Sequence, residues 1–236
     1  MKIPHYLEIK LAPLKLNNET LLRRYGYLEV FAELRLTYPS LGYQALFDLF
    51  ALCQGCSSYS LSDELKQSLI GSYKALPPHY PLLHDETIAN YLHHAEMQAK
   101  IALSLAEIPI GAVIVENNKV IGRGYNRTRS DNSILHHAEI VAIQDAQYYL
   151  GNHRLNNCDL YVTIEPCLMC AGAIINSRIR RVIFGAVEPK TGACCSQFQV
   201  FDNKKTNHHC QVIGPINNDY YNQMIIQFLR TRSRHD

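Results

Sequence analysis

One tetrapeptide occurs twice in this chain, and it carries residue types that can do chemistry. His93-His94-Ala95-Glu96 lies in "NYLHHAEMQAK", and His136-His137-Ala138-Glu139 lies in "SILHHAEIVAIQ". A histidine two residues before a glutamate can set a metal ligand beside a carboxylate that reaches a water at an open coordination position. The surroundings separate the two copies. After the first copy the next cysteine is Cys158, so no thiol pair is near in sequence. Thirty residues beyond His137 comes Glu165-Pro166-Cys167-Leu168-Met169-Cys170. Cysteines three apart project from one helical turn. A helix N-terminus favours their charged thiolate form. One imidazole and two thiolates make three ligands, with a fourth position left for water, as in a catalytic zinc site. His137, Cys167 and Cys170 are therefore the expected ligands of one Zn2+ per subunit. Glu139 is the expected proton carrier. His93 and His94 read as surface histidines of a helix.

The elements that must place these residues can be traced along the chain. Asp85 to Ala106 has a helical face made of Ile88, Tyr91, Leu92, Ala95, Ala99 and Ala102. "IPIGAVIV-ENNK-VIGRGYN" reads as two strands around a turn at Asn117-Asn118. "HAEIVAIQDAQYYLG" reads as a helix ending at Gly151, "DLYVTIE" as a strand, "CLMCAGAIINS" as a helix, "RRVIFGA" as a strand, and "NDYYNQMIIQFLRTRSR" as a terminal helix. Strands alternating with helices predict an α/β domain with helices layered on a sheet. The stretch "KALPPHYPLLHD" holds three prolines and marks a boundary. Before it, "NETLLRRYGYLEVFAELRL", "GYQALFDLFALC" and "SDELKQSLIGSYKAL" read as helices, with Asn18 and Ser62 as caps. The expected organisation is a small all-α domain over 1–80 and an α/β domain over 86–236.

The order H-x-E followed by P-C-x-x-C matches the known signature of zinc nucleobase deaminases. Over 86–236 the chain resembles the bacterial tRNA-specific adenosine deaminases. The resemblance rests on "IPIGAVIV", "VIGRGYNR", "HAEIVAI", "LYVTIEPCLMCAGAIINSRIRRVIFGA", "KTGA", Asn207-His208 and "FLRTR". Free cytidine deaminases usually present a cysteine as first ligand, and riboflavin-pathway deaminases space their cysteines more widely. Guanine deaminases share H-A-E and P-C-x-M-C, which makes a zinc deaminase of a free base the alternative. A zinc-stabilised RNA-binding module without chemistry is a third reading, and Glu139 argues against it.

The resemblance implies a three-layer α-β-α cytidine-deaminase-like domain. It also implies a zinc-dependent homodimer that converts the wobble adenosine of an arginine tRNA anticodon to inosine. By the same match Asn126, Ile110 and Ala138 line the substrate pocket. Phe228, Arg230 and Arg232 on the terminal helix, with Lys190 in a nearby loop, meet the RNA. "KTGACCS" stands where the family usually has "KTGAAGS", so Cys194 and Cys195 depart from the pattern. Residues from "LLRRYGYLEVF" to "ALCQGC" resemble the C-terminal helical domain of the TfoX family, which implies a small interaction module.

Composition sets the remaining bounds. Hydrophobic residues make up 47% and charged residues 19% of 236, so a globular protein with a core is expected. From Arg178 to the end, nine Lys or Arg face four Asp or Glu, whereas residues 1–85 carry eight of each. The positive excess sits at the C-terminal end, and the neutral first part is a poor phosphate-binding surface. Neither a signal peptide nor a membrane span is recognisable, so the cytoplasm is expected. There the eight cysteines stay reduced and serve metal, catalysis or packing. Cys53 and Cys56 form a second C-x-x-C, but with no partner pair or nearby histidine.

Overall fold

The computed structural model describes residues 3–76, 81–203 and 205–232. Residues 77–80 of the proline-rich stretch, together with Lys204, Arg234 and the Arg232 side chain, lie outside the described residues. Two compact units result, Met1–Leu83 and His84–Asp236.

The first unit is helical: α1 (His5–Leu11), α2 (Glu19–Tyr25), α3 (Tyr27–Thr37), α4 (Gln44–Gln54) and α5 (Asp63–Lys74). Its core is built from Leu7, Leu11, Leu16, Phe31, Leu34, Leu46 and Leu49, all fully buried. The sequence reading did not assign α1, whose Leu7 and Leu11 are one turn apart and both face inward. It also read α2 and α3 as one helix. Gly26 divides them by adopting φ 84°, a conformation open to glycine and costly for other residues. The Asn18 side chain accepts from the Thr20 amide at 2.7 Å, and the Ser62 hydroxyl accepts from the Leu65 amide at 3.2 Å.

The second unit opens with α6 (Asp85–Ser104) and then forms β1 (Gly111–Glu116), β2 (Lys119–Tyr125), α7 (Ala138–Leu150), β3 (Asp159–Ile164), α8 (Leu168–Ser177), β4 (Arg181–Ala186), β5 (Gln211–Ile213) and α9 (Asn218–Arg232). The sheet order is β2-β1-β3-β4-β5. β1 runs antiparallel to β2 and β3, while β3, β4 and β5 are parallel. Asn117 and Asn118 both take positive φ, 49° and 60°, as a two-residue hairpin turn requires. Gly151 ends α7 in the left-handed conformation.

Alternation along the strands gives each face its helices. Ala112, Ile114, Leu160, Val162, Val182 and Phe184 pack with Ala138, Ala142, Ala171 and Ile174 of α7 and α8. The opposite face receives α6 and α9. A side chain at Gly111 would strike the α6 backbone at Ala95, and one at Gly185 would strike the Tyr221 ring of α9. The result is a three-layer α-β-α unit. β3 and β4 are buried along their whole length, which is why their sequences are nearly unbroken apolar runs.

Candidate functional site

Two helix N-termini meet beside the end of β3. His137 is the residue that caps α7, and Cys167 caps α8 with Cys170 in its first turn. The seat of α7 is fixed by a missing side chain on β2. A Cβ at Gly124 would lie 2.1 Å from the Ala138 carbonyl oxygen and 2.4 Å from the Ala142 nitrogen. Only glycine lets the first turn of α7 lie this close to the strand.

The ligand atoms of His137, Cys167 and Cys170 lie within 4.8 Å of one another. Both sulfurs are 3.6 Å from His137 Nδ1. In a tetrahedral zinc centre, bonds of about 2.3 Å to sulfur and 2.05 Å to nitrogen place those atoms roughly 3.6 Å apart. The donor set therefore fits zinc in both chemistry and spacing. Among the described residues this is the one His/Cys/Asp/Glu group that could hold a metal. Two thiolates and an imidazole also select zinc over the hard divalent cations.

The electrostatics are those of a ligand set. The Cys167 thiol is pushed down to about 4 by its hydrogen bond with Cys170; burial opposes this, and His137 assists. The Cys170 thiol is pushed up by that same hydrogen bond and by burial. Metal binding requires both sulfurs as thiolates and so releases protons. His137 is raised above its ordinary value, chiefly by its hydrogen bond with Cys167. Glu139, 4% exposed, is pushed up by burial, against its own backbone amide and His137.

A cleft beside these groups is lined by Ile110, Asn126, His137, Ala138, Glu139, Ile164, Glu165, Cys167, Glu188 and Thr191. The structure therefore brings Ile110, Asn126 and Ala138 together with His137, Cys167 and Glu139. Lys190 is exposed between two lining residues, and its amide donates to Glu188 Oε1 at 2.9 Å. Phe228 is placed differently. The residue is 6% exposed in α9, which leaves little of its ring for a base to stack on. Arg230 is exposed on α9, and Arg232 ends that helix.

The C-terminal charge excess also needs correction. Arg180 clasps Asp159 with two 2.7 Å hydrogen bonds, and the buried Arg181 reaches the same carboxylate at 3.3 Å. Two of the nine bases thus share one carboxylate on β3, which cancels one of their two charges. Among the described residues the first tetrapeptide joins no group that could hold a metal. His93 and His94 are exposed, and Glu96 accepts from Tyr220 Oη at 2.8 Å and pairs with Lys100 at 2.6 Å.

Two residues that sequence reading left without a role hold the walls of the cleft. Glu165 accepts the amides of Cys194, Cys195 and Ser196 on Oε1 and that of Glu188 on Oε2, at 2.7–3.0 Å. Cys194 and Cys195 therefore serve through their backbones, with Cys194 buried and Cys195 exposed. Glu107 is fully buried beside Asn126. Their one sequence signal is a glutamate next to an apolar run, where an unpaired carboxylate would be costly.

A family model for MafB19-like deaminases matches residues 87–231. A tRNA-specific adenosine deaminase from Haemophilus influenzae is 42% identical over 142 residues, covering 60% of this chain and 82% of that protein. Its counterpart in Rickettsia bellii is 43% identical over 127 residues, covering 53% of this chain and 88% of the relative. A structure solved in work on A-to-I editing by tRNA:A34 deaminases at the wobble position of transfer RNA is 44% identical. It superposes with a TM-score of 0.51 over 53% of this chain and 96% of its own. Each of these matches falls short of the whole chain.

Proposed function

The chain belongs to the family of MafB19-like and tRNA-specific adenosine deaminases, and from that premise we propose that it deaminates adenosine to inosine at the wobble position of a tRNA anticodon. The observation that carries this is a three-ligand zinc cradle with a buried glutamate beside it, in a chain 42% identical to a tRNA-specific adenosine deaminase. His137, Cys167 and Cys170 would hold one Zn2+. When bound, zinc supplies a Lewis acid that lowers the pKa of a water to about 7.

This chain's residues do the rest. Glu139 takes one proton from the attacking water and gives it to the ring nitrogen, then takes the proton of the hydroxyl so formed and passes it to the departing amine. Adenosine and water become inosine and ammonia, and the carboxylate is regenerated. Burial raises the proton affinity of Glu139, which suits a group that must both accept and donate. Asn126, Ile110 and Ala138 would bind the nucleoside. Lys190, Arg230 and Arg232 would take phosphates of the anticodon stem-loop.

An arginine tRNA is the expected substrate and a homodimer the expected assembly. In support of the dimer, the strongly exposed Ile134, Leu135 and Leu168 flank ligand residues in sequence. Among the described residues no helix is long and apolar enough to cross a membrane. A tRNA substrate would favour the cytoplasm. The helical first unit would be an interaction module of the TfoX type.

A substrate panel tests the reading. Protein loaded with zinc is given an anticodon stem-loop with adenosine at the wobble position, free adenosine and guanine, and ammonia release is followed. Release from the stem-loop alone is expected. Release from guanine alone would replace this reading with a free-base deaminase.

A further inference from the structure

Glu107 lies in the link between α6 and β1 and is fully buried. Its Oε1 accepts the Arg129 amide at 3.0 Å, the Ser130 amide at 2.6 Å and the Ser130 hydroxyl at 2.9 Å. Its Oε2 accepts from Asn126 Nδ2 at 3.2 Å. A carboxylate only accepts, so the nitrogen end of the Asn126 carboxamide must face Glu107. Asn126 lines the cleft and Glu107 does not. The carboxamide oxygen, with the second hydrogen of the NH2, is therefore the edge left for the cleft. The Asn126 backbone cannot turn to change this, because its amide donates to the Ile110 carbonyl at 3.0 Å.

We propose that Glu107 is a positioning residue that fixes which way the Asn126 carboxamide meets the substrate, with its oxygen turned away from Glu107 and toward the cleft. The role rests on the deaminase reading above. Through Oε1 the same carboxylate pins the start of the 127–136 segment, which leads into His137. Pocket acceptor and ligand approach are thus referenced to one buried group.

Charge-matched swaps test the lock. In Glu107→Gln the new side chain must keep its oxygen on the Ser130 and Arg129 amides, so its NH2 faces Asn126. Asn126 then turns over and shows the cleft a donor. In Asn126→Asp two carboxylates oppose each other. The double variant E107Q/N126D pairs an NH2 with a carboxylate oxygen and returns an acceptor to the cleft. Each single variant is expected to lose about 10- to 100-fold in kcat/KM on the stem-loop, with zinc still bound, and the double variant to exceed both. A Glu107 that only holds the fold lowers the melting temperature of the single variants but leaves their KM unchanged. Full activity in E107Q, or a double variant no better than either single, overturns the proposal.

A second readout needs no turnover. The Asn126 side-chain amide, identified in 15N NMR spectra by its loss in N126D, should have one exchange-protected, downfield proton in the native protein that disappears in E107Q. An unchanged resonance in E107Q overturns the proposal. A native protein that makes no inosine but shows this behaviour loses the functional reading and keeps the positioning one.

Discussion

Glu165→Gln removes one charge and turns one acceptor into a donor, and the structure says where each change is felt. Glu165 is 3% exposed, and its four backbone donors belong to residues 188 and 194–196. The three amides on Oε1 can stay with the glutamine oxygen, at the strength of neutral rather than charged bonds. The Glu188 amide cannot, because the new NH2 meets it donor to donor. Leaving one buried amide unsatisfied costs about 1–3 kcal/mol, and neutralising the other bonds adds a comparable amount. A destabilisation of about 3 kcal/mol is expected, which lowers the melting temperature of the second unit by roughly 6–12 °C. The damage should be greatest at one place. Hydrogen exchange at the Glu188 amide should accelerate about 10- to 100-fold, in a loop that lines the cleft, while the amides of β1 follow only the global change. Thermal melting followed by circular dichroism and amide exchange by NMR read both quantities. A melting temperature within about 1 °C of the native one, or unchanged exchange at Glu188, would refute the reasoning.

Three further outcomes follow from the same geometry. Gly124→Ala forces a methyl into the α7 backbone and should cost about 3 kcal/mol or more while lowering zinc occupancy, read by melting and metal analysis. Burial works to raise Glu96, but hydrogen bonds from Lys100 and Tyr220 hold it below the usual carboxylate value. Its contribution to stability is thus present above the unfolded value of about 4.3 and lost as pH falls through the lower folded value, so Glu96→Gln should reduce the acid dependence of melting by an amount on the order of 1 kcal/mol. Stripping zinc with a chelator should abolish turnover and lower the melting temperature of the second unit, and zinc added back should restore both.

Much of the second unit could be read from the sequence because its signals are local. The asparagine pair of the hairpin, the glycine that ends α7 and the apolar runs of β3 and β4 each specify their own conformation. The His137, Cys167 and Cys170 cluster was legible for a related reason: both of its halves sit at helix starts. What could not be read depends on distant partners. Arg181 looked like surface charge until β3 and β4 paired in parallel and set Asp159 beside it. Glu96 lies in a tetrapeptide that read as a surface stretch, yet it is buried, and its hydroxyl partner Tyr220 is 124 residues away. β5 is three residues long and has no alternation to detect. Phe228 could have stacked on RNA or packed inward by its spacing alone, and the fold buries it.

The most direct measurement is a single turnover of the zinc-loaded protein and its Glu139→Ala variant on an arginine-tRNA anticodon stem-loop with adenosine at the wobble position. Inosine is scored by nuclease digestion and mass spectrometry, and zinc is counted in both proteins. Inosine from the native protein alone, with equal zinc in the two, is the predicted result. Inosine from the Glu139→Ala variant at the native rate would contradict the account.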